Sequence, residues 1–162
     1  MADKQVMLIA LDDSEHSFYA LDWTLDHFFS SAFTTNFNVI VIHARVPSTS
    51  VIQIAGPGGS IEVLNIVEAD LKKTAERVFT RAKETCNKKM VNNNVKFEVI
   101  EGDARNVLCD AVDKYHASIL VLGSHGYGPI KRAVLGSVSD YCAHHAHCSV
   151  MIAKKPKPKP KK

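Results

Sequence analysis

VLGSHGYGPIKRAVLGSVSDYC, Val121 to Cys142, is the most informative stretch of this chain. It opens on aliphatic residues that predict a buried strand and passes directly into a loop carrying Gly123, Gly126, Gly128 and Gly136. A helix is predicted to begin at Ser137. Glycine accepts positive φ and has no Cβ to hold a ligand off the backbone, so such a loop can turn several N–H groups towards one anion. The start of the helix adds unpaired N–H donors and a partial positive charge. Ser124 and Ser137 supply hydroxyl donors at the two ends. The pattern predicts a phosphate-binding turn between a strand and a helix, although an ordinary strand-to-helix loop would use glycines too.

Two common phosphate motifs do not fit. No GxxxxGK[ST] string is present, and Gly126-Tyr127-Gly128 is followed by Lys131 where the dinucleotide fingerprint needs its third glycine. A standard P-loop NTPase or a dehydrogenase is therefore not expected. Lys131 and Arg132 sit inside the loop, where they could reach a terminal phosphate or form a solvated turn after Pro129. The string CAHHAHC, Cys142–Cys148, looks like a metal motif. His144 and His145 would point in different directions on a helix, however, so no structural metal is expected there.

Working outward, further aliphatic or β-branched runs at Gln5–Leu11, Phe37–His43, Val95–Ile100 and Ser149–Ala153 join Ser118–Leu122 as predicted strands. Helical patterns separate them. Phe18, Leu21, Leu25 and Phe28 recur on one side of Ser17–Phe29, with Ser14 as the expected N-cap and Glu15 in the first turn. A longer helix is predicted over Ile61–Lys89, with Leu64, Val67, Leu71, Ala75, Val78 and Ala82 as its apolar stripe. Another follows Gly102, capped by Asp103, and buries Val107, Leu108, Ala111, Val112 and Tyr115; a fourth runs from Ser137 to about His147. Strands that alternate with helices and read as continuous apolar runs predict a doubly wound α/β fold with a parallel sheet covered on both faces. The segment Ala44–Ser60, with Pro47 and GPGG, is long for a connection in such a fold and is expected to be a lid or an irregular excursion.

A chain of 162 residues with 46% hydrophobic and 23% charged residues fits one globular domain, here 1–153. The net charge of +3 is misleading, because six of the 20 Lys and Arg fall in the tail KKPKPKPKK, Lys154–Lys162. Residues 1–153 keep 14 basic against 17 acidic side chains, a net charge of −3, so the whole-chain charge says little about a nucleic-acid-binding face, and the tail is the one basic feature of the sequence. The Lys/Pro tail is expected to be extended and solubilising, and only through it would nucleic acid or a membrane surface be met. Cys86, Cys109, Cys142 and Cys148 form no CxxC pair, and the apolar run at the N-terminus is too short for a signal peptide. Both features predict a reducing, intracellular setting, cytoplasmic by default, with the nucleus or a membrane surface as alternatives through the basic tail.

The spacing Gly123, two residues, Gly126, nine residues, Gly136, Ser137 resembles the ATP-binding signature of universal stress proteins at every specified position. LIALDDSEHSFYAL, Leu8–Leu21, looks like the first strand, aspartate and serine-led helix of that family. EGDARNVLCDAVDKYHASILVLGSHG, Glu101–Gly126, is similar to its third helix and fourth strand. With VIVIHARV and HCSVMIAKK the resemblance covers residues 5–155; Asp13 departs from it, since many members have glycine or another residue there.

The resemblance implies a small, single-domain, plant-type member whose five-stranded parallel sheet has the order 3-2-1-4-5. A site is then expected beyond the strand ends where the connections change direction. It implies an adenine nucleotide, ATP or AMP, at Ala10, Leu11, Asp12, Ala44, Gly123, Ser124, Gly126, Gly136, Ser137 and Val138. Asp12 would face the nucleoside or its metal, the backbone at Ala44 the adenine edge, Gly123 the ribose, and Gly126, Gly136, Ser137 and Val138 the phosphates. Magnesium would be held mainly by phosphates and water. Asp12 would serve equally as a carboxylate at a helix N-terminus. The resemblance further implies a homodimer through the last strand, Ser149–Ala153, and a regulatory or protective role in stress. A slow ATPase, with His125, Lys131 and Asp12 as the available groups, and a nucleotide-free dimeric adaptor are the alternatives.

Overall fold

The computed structural model describes residues 4–29, 37–50, 61–89, 95–125 and 135–156. Strand β1 (Gln5–Ala10) leads through Ser14 into helix α1 (Glu15–Phe28). Next come β2 (Phe37–Arg45), the long helix α2 (Ile61–Lys88), β3 (Val95–Glu101), α3 (Ala104–Tyr115), β4 (Ile119–Gly123), α4 (Ser137–His145) and β5 (Ser149–Ala153). All pairings are parallel and the order is β3-β2-β1-β4-β5. The doubly wound sheet expected from the sequence is therefore present.

The alternation of side chains along a strand explains why β1 reads as an unbroken apolar run. Met7 and Ile9 face one layer, where they pack with Phe18, Leu21 and Leu25 of α1 and with Val78 and Ala82 of α2. Leu8 faces the other, among Val107, Leu108, Ala111 and Val112 of α3 and Cys142 of α4. Met7, Leu8 and Ile9 have no exposed surface. Each contributes roughly 1.5–3 kcal/mol by leaving water, which makes β1 the best-anchored part of the sheet.

Element ends differ from the sequence reading by one or two residues. β2 continues to Arg45 because Ala44 and Arg45 still pair with Ile100 and Glu101 of β3. Residues 48–50 then take a helical turn, and the remainder of the long connection, 51–60, lies outside the described residues. Helix α4 stops at His145 rather than His147, since Ala146 is already extended (φ −70°, ψ 136°). The apolar stripe of α2 is buried only in its second half, at Ala75, Val78, Ala82 and Cys86. Its 28 residues span about 42 Å, well beyond a strand of five to nine residues, so its first turns overhang the sheet. Ile61 and Ile66 are accordingly 77% and 69% exposed.

Candidate functional site: a cavity at the carboxyl ends of β1 and β4

The chain leaves β1 towards β2 and β3 on one side and returns to β4 and β5 on the other, so the ends of β1 and β4 part. A cavity of about 270 Å³ opens there. Ala10, Leu11 and Asp12 line it from β1, Ala44 from β2, and Gly123 from β4. The start of α4 closes the opposite side with Gly136, Ser137 and Val138. Eight of the expected site residues thus meet around one cavity. Gly126, with Lys131 and Arg132, lies outside the described residues.

Ser124 is the exception among the described ones. It is buried, and its carbonyl accepts the Gly136 N–H (2.7 Å) and the Ser139 hydroxyl (3.0 Å). The Ser124 backbone therefore fastens β4 to α4, and the residue is not part of the cavity lining. His125, expected near the phosphates only for a slow ATPase, also lines the cavity, while Ser17, Ile42, Ala104, Leu108, Leu122 and Ser139 are parts of the wall that the sequence does not single out. Ile42, Leu108 and Leu122 read as core residues in the sequence, and only the fold shows that they reach the cavity. Ser17 and Ser139 could have been suspected as hydroxyls within the first turns of helices that begin at the site.

Two glycines act differently from the expectation. A Cβ on Gly123 would lie 2.6 Å from the His16 carbonyl oxygen and 2.9 Å from the Ser17 nitrogen, so the missing Cβ makes room for the start of α1. Gly136 is the N-cap of α4 with φ −68° and ψ 162°, a conformation open to any residue. Positive φ is thus not what glycine supplies at Gly136. What distinguishes this helix start is that no side chain caps it.

Helices α1, α3 and α4 all begin at this cavity, through Ser17, Ala104 and Ser137. Their dipoles make it favourable for an anion. The first two starts are internally satisfied: Ser14 Oγ accepts the Ser17 N–H (3.2 Å) and Asp103 Oδ1 accepts the Arg105 N–H (3.0 Å). Asp103 is held below the usual carboxylate range by its hydrogen bonds and charge contact with Arg105. In α4 no side-chain cap of this kind is present among the described residues, so its first-turn N–H groups are available to solvent or a ligand.

Asp12 is held firmly. Its Oδ1 accepts the Ser14 N–H (3.0 Å) and the Ser14 hydroxyl, and its own N–H donates to Ser17 Oγ (3.2 Å). One carboxylate oxygen of Asp12 thus braces the start of α1, while the residue also lines the cavity. Leu11 donates to the Ile42 carbonyl (2.9 Å) and its own carbonyl contacts His43 Nδ1 (3.0 Å), which fixes the mouth of β1 against β2.

The CAHHAHC string is dispersed. His144 and His145 each place Nδ1 on the carbonyl four residues back, and His147 places its Nδ1 on Asp113. The Cys142 thiol is pushed up to about 12, chiefly by burial. Among the described residues no cluster of three or more His, Cys, Asp or Glu is placed to hold a metal ion. Among them, too, no helix is long and apolar enough to cross a membrane.

The model of the universal stress protein family matches residues 4–154. The chain belongs to that family. Universal stress protein PHOS32 of Arabidopsis thaliana is 29% identical over 161 residues, covering 91% of this chain and 64% of PHOS32. The chain thus spans just under two thirds of that relative. Among solved structures, the hypothetical protein MJ0577 superposes with a TM-score of 0.71 at 19% identity, covering 97% of this chain and all of the other. A family member from Arabidopsis thaliana, solved with AMP bound, gives 0.65 at 22% identity, covering 94% and 92%. At such identities the superpositions establish the shared fold.

Proposed function

We propose that this chain binds an adenine nucleotide, ATP or AMP, in the cavity between β1 and β4, and acts as a regulatory or protective factor in the stress response. The observation that carries the proposal is the uncapped start of α4 facing Asp12 across a cavity at the switch point of the sheet. Its volume of about 270 Å³ lies near the lower end of the roughly 300–1,000 Å³ usual for small-molecule sites, which suits a mononucleotide better than a dinucleotide. Solved family members holding AMP, cAMP and dAMP support the class of ligand.

In this reading the phosphates meet the N–H groups of Ser137 and Val138, the base lies towards Ala44, and Asp12 meets the ribose or a magnesium ion held mainly by phosphates. Acid release and chromatography of the purified protein tests it: AMP, ADP or ATP should travel with the chain or be taken up from solution. Steady ADP formation would favour the slow ATPase, and a pocket that ignores every adenine nucleotide would favour the adaptor.

A homodimer through β5 belongs to the same proposal. β5 is an edge strand with Val150, Met151 and Ile152 only half-buried, and such an edge invites a partner strand. Sedimentation should show a dimer at tens of micromolar that Val150→Lys dissociates; a wild-type monomer at that concentration would overturn it. The domain limit at residue 153 and the solubilising role of the Lys/Pro tail stay part of the proposal, as does a cytoplasmic setting.

A further inference from the structure

The tight packing at Gly123 has a second effect. It presses the end of β4 against the start of α1 and so brings together two histidines, His16 and His125. Their ring centroids are 5.3 Å apart at an interplanar angle of 68°. In both rings Nδ1 is buried and has no hydrogen-bond partner among the described residues. His125 lines the cavity beside the start of α4.

An unpaired buried ring nitrogen is costly, and two of them on rings in contact can be satisfied by one shared species. Neither ring can supply the other if both Nδ1 atoms carry lone pairs. A bridging water or a metal ion can. Imidazole nitrogens sharing one tetrahedral ion at about 2.0–2.1 Å set their ring centroids roughly 5 Å apart, which the observed separation matches.

We propose that His16 and His125 form a binding site for one divalent transition ion of the zinc, cobalt or nickel class. Imidazole favours these ions, whereas magnesium prefers oxygen ligands. With no third protein ligand among the described residues, the other positions fall to water. When a nucleotide is bound they fall to a phosphate oxygen at the start of α4. This last step rests on the proposed nucleotide reading; the two-histidine site does not.

The test is a titration of the full, chelator-stripped chain with cobalt(II), read by visible absorption. One equivalent should bind with a spectrum of nitrogen and oxygen ligands and without an intense thiolate band. Burial raises the Cys86, Cys109, Cys142 and Cys148 thiols and disfavours them as ligands. His16→Gln and His125→Gln, each checked for folding by circular dichroism, should separately weaken that equivalent by about tenfold or more. His147→Gln, a change at the far end of α4, should leave it. No stoichiometric uptake, or uptake that survives in whichever of the two Gln variants folds, would overturn the site and leave water as the bridge. AMP binding by the wild type in excess chelator reports on the nucleotide reading alone. If AMP binds there, cobalt affinity should rise in its presence, and the reverse by linkage; an unchanged affinity would overturn the phosphate oxygen as a ligand while leaving the histidine pair standing.

Discussion

Helices α1 and α4 start at the same cavity, and their starts are built in opposite ways. α1 is closed: Ser14 caps it, Asp12 braces Ser14, Glu15 in its first turn pairs with Arg81, and Asp13 pairs with Arg77. α4 is open: its N-cap is Gly136, no side chain caps it, and its first-turn acid, Asp140, is exposed beside His144. A helix end that a fold leaves unsatisfied costs stability; the contrast makes α1 the end that holds the fold and, in the proposed function, leaves α4 as the end that meets the ligand.

Closing α4 chemically is the strongest way to break the contrast. A nucleotide at a thousandfold excess over its dissociation constant stabilises the native chain by about 4 kcal/mol, roughly 8–16 °C for a domain of this size. Ser137 is exposed at the first helical position, so Ser137→Asp should not disturb packing. The new carboxylate should raise the melting temperature of the ligand-free chain by about 1–2 °C through the dipole. It should also remove most of the rise caused by AMP or ATP, because it repels the phosphates. Melting curves with and without nucleotide decide this; an undiminished rise in the variant would place the phosphates away from α4.

The next effect tests how α1 reaches the site. Gly123→Ala drives a methyl group against the backbone of His16 and Ser17, none of which can rotate away. A cost of about 2–3 kcal/mol is expected, or roughly 5–10 °C, measured by urea and thermal unfolding. A cost below about 0.5 kcal/mol would mean that α1 slides freely on β4.

Gly123 also marks the limit of what the sequence could say. The strands were legible because β1 and β4 are buried on both faces and therefore read as unbroken aliphatic runs. Caps such as Ser14 and Asp103 were legible because their partners are two or three residues away. The purpose of Gly123 was not, since the atoms it makes room for belong to an element far back in the chain. The same applies to Ser124, whose carbonyl accepts from Gly136 and Ser139, a pair of bonds that only the folded junction of β4 and α4 creates. The overhang of α2 was hidden because a regular apolar stripe looks the same whether or not a sheet lies beneath it.

Opening α1 is the converse experiment, with a smaller expected effect. Ser14→Ala removes the cap from Ser17 and a donor from Asp12 Oδ1. About 1 kcal/mol should be lost, near 2–4 °C. A loss as large as that of Gly123→Ala would show that Ser14 supports the whole junction and not just one helix end.

The smallest effect concerns the outer clasp of α1. Arg81 grips Glu15 with both arms, at 2.9 and 3.2 Å, and lies 3.9 Å from the centre of the Phe18 ring. The hydrogen bond from Arg81, and then its charge, lower the Glu15 carboxyl from its ordinary 4.5. A lowered folded-state value means stability that is fully present above the unfolded value near 4.5 and is lost as pH falls through the folded one. The contact with Phe18 has no such dependence, because the guanidinium stays charged throughout. Arg81→Met keeps most of the stem on Phe18 and should cost only about 0.3–0.5 kcal/mol at neutral pH, since the pair is exposed to water and salt. Urea unfolding of both proteins at pH 7 and again at about pH 3 separates the two parts. If Glu15 carries the clasp, the difference shrinks towards zero at the lower pH. A difference that persists unchanged would transfer the stabilisation to Phe18 and remove the charge pair from the list of devices that close α1.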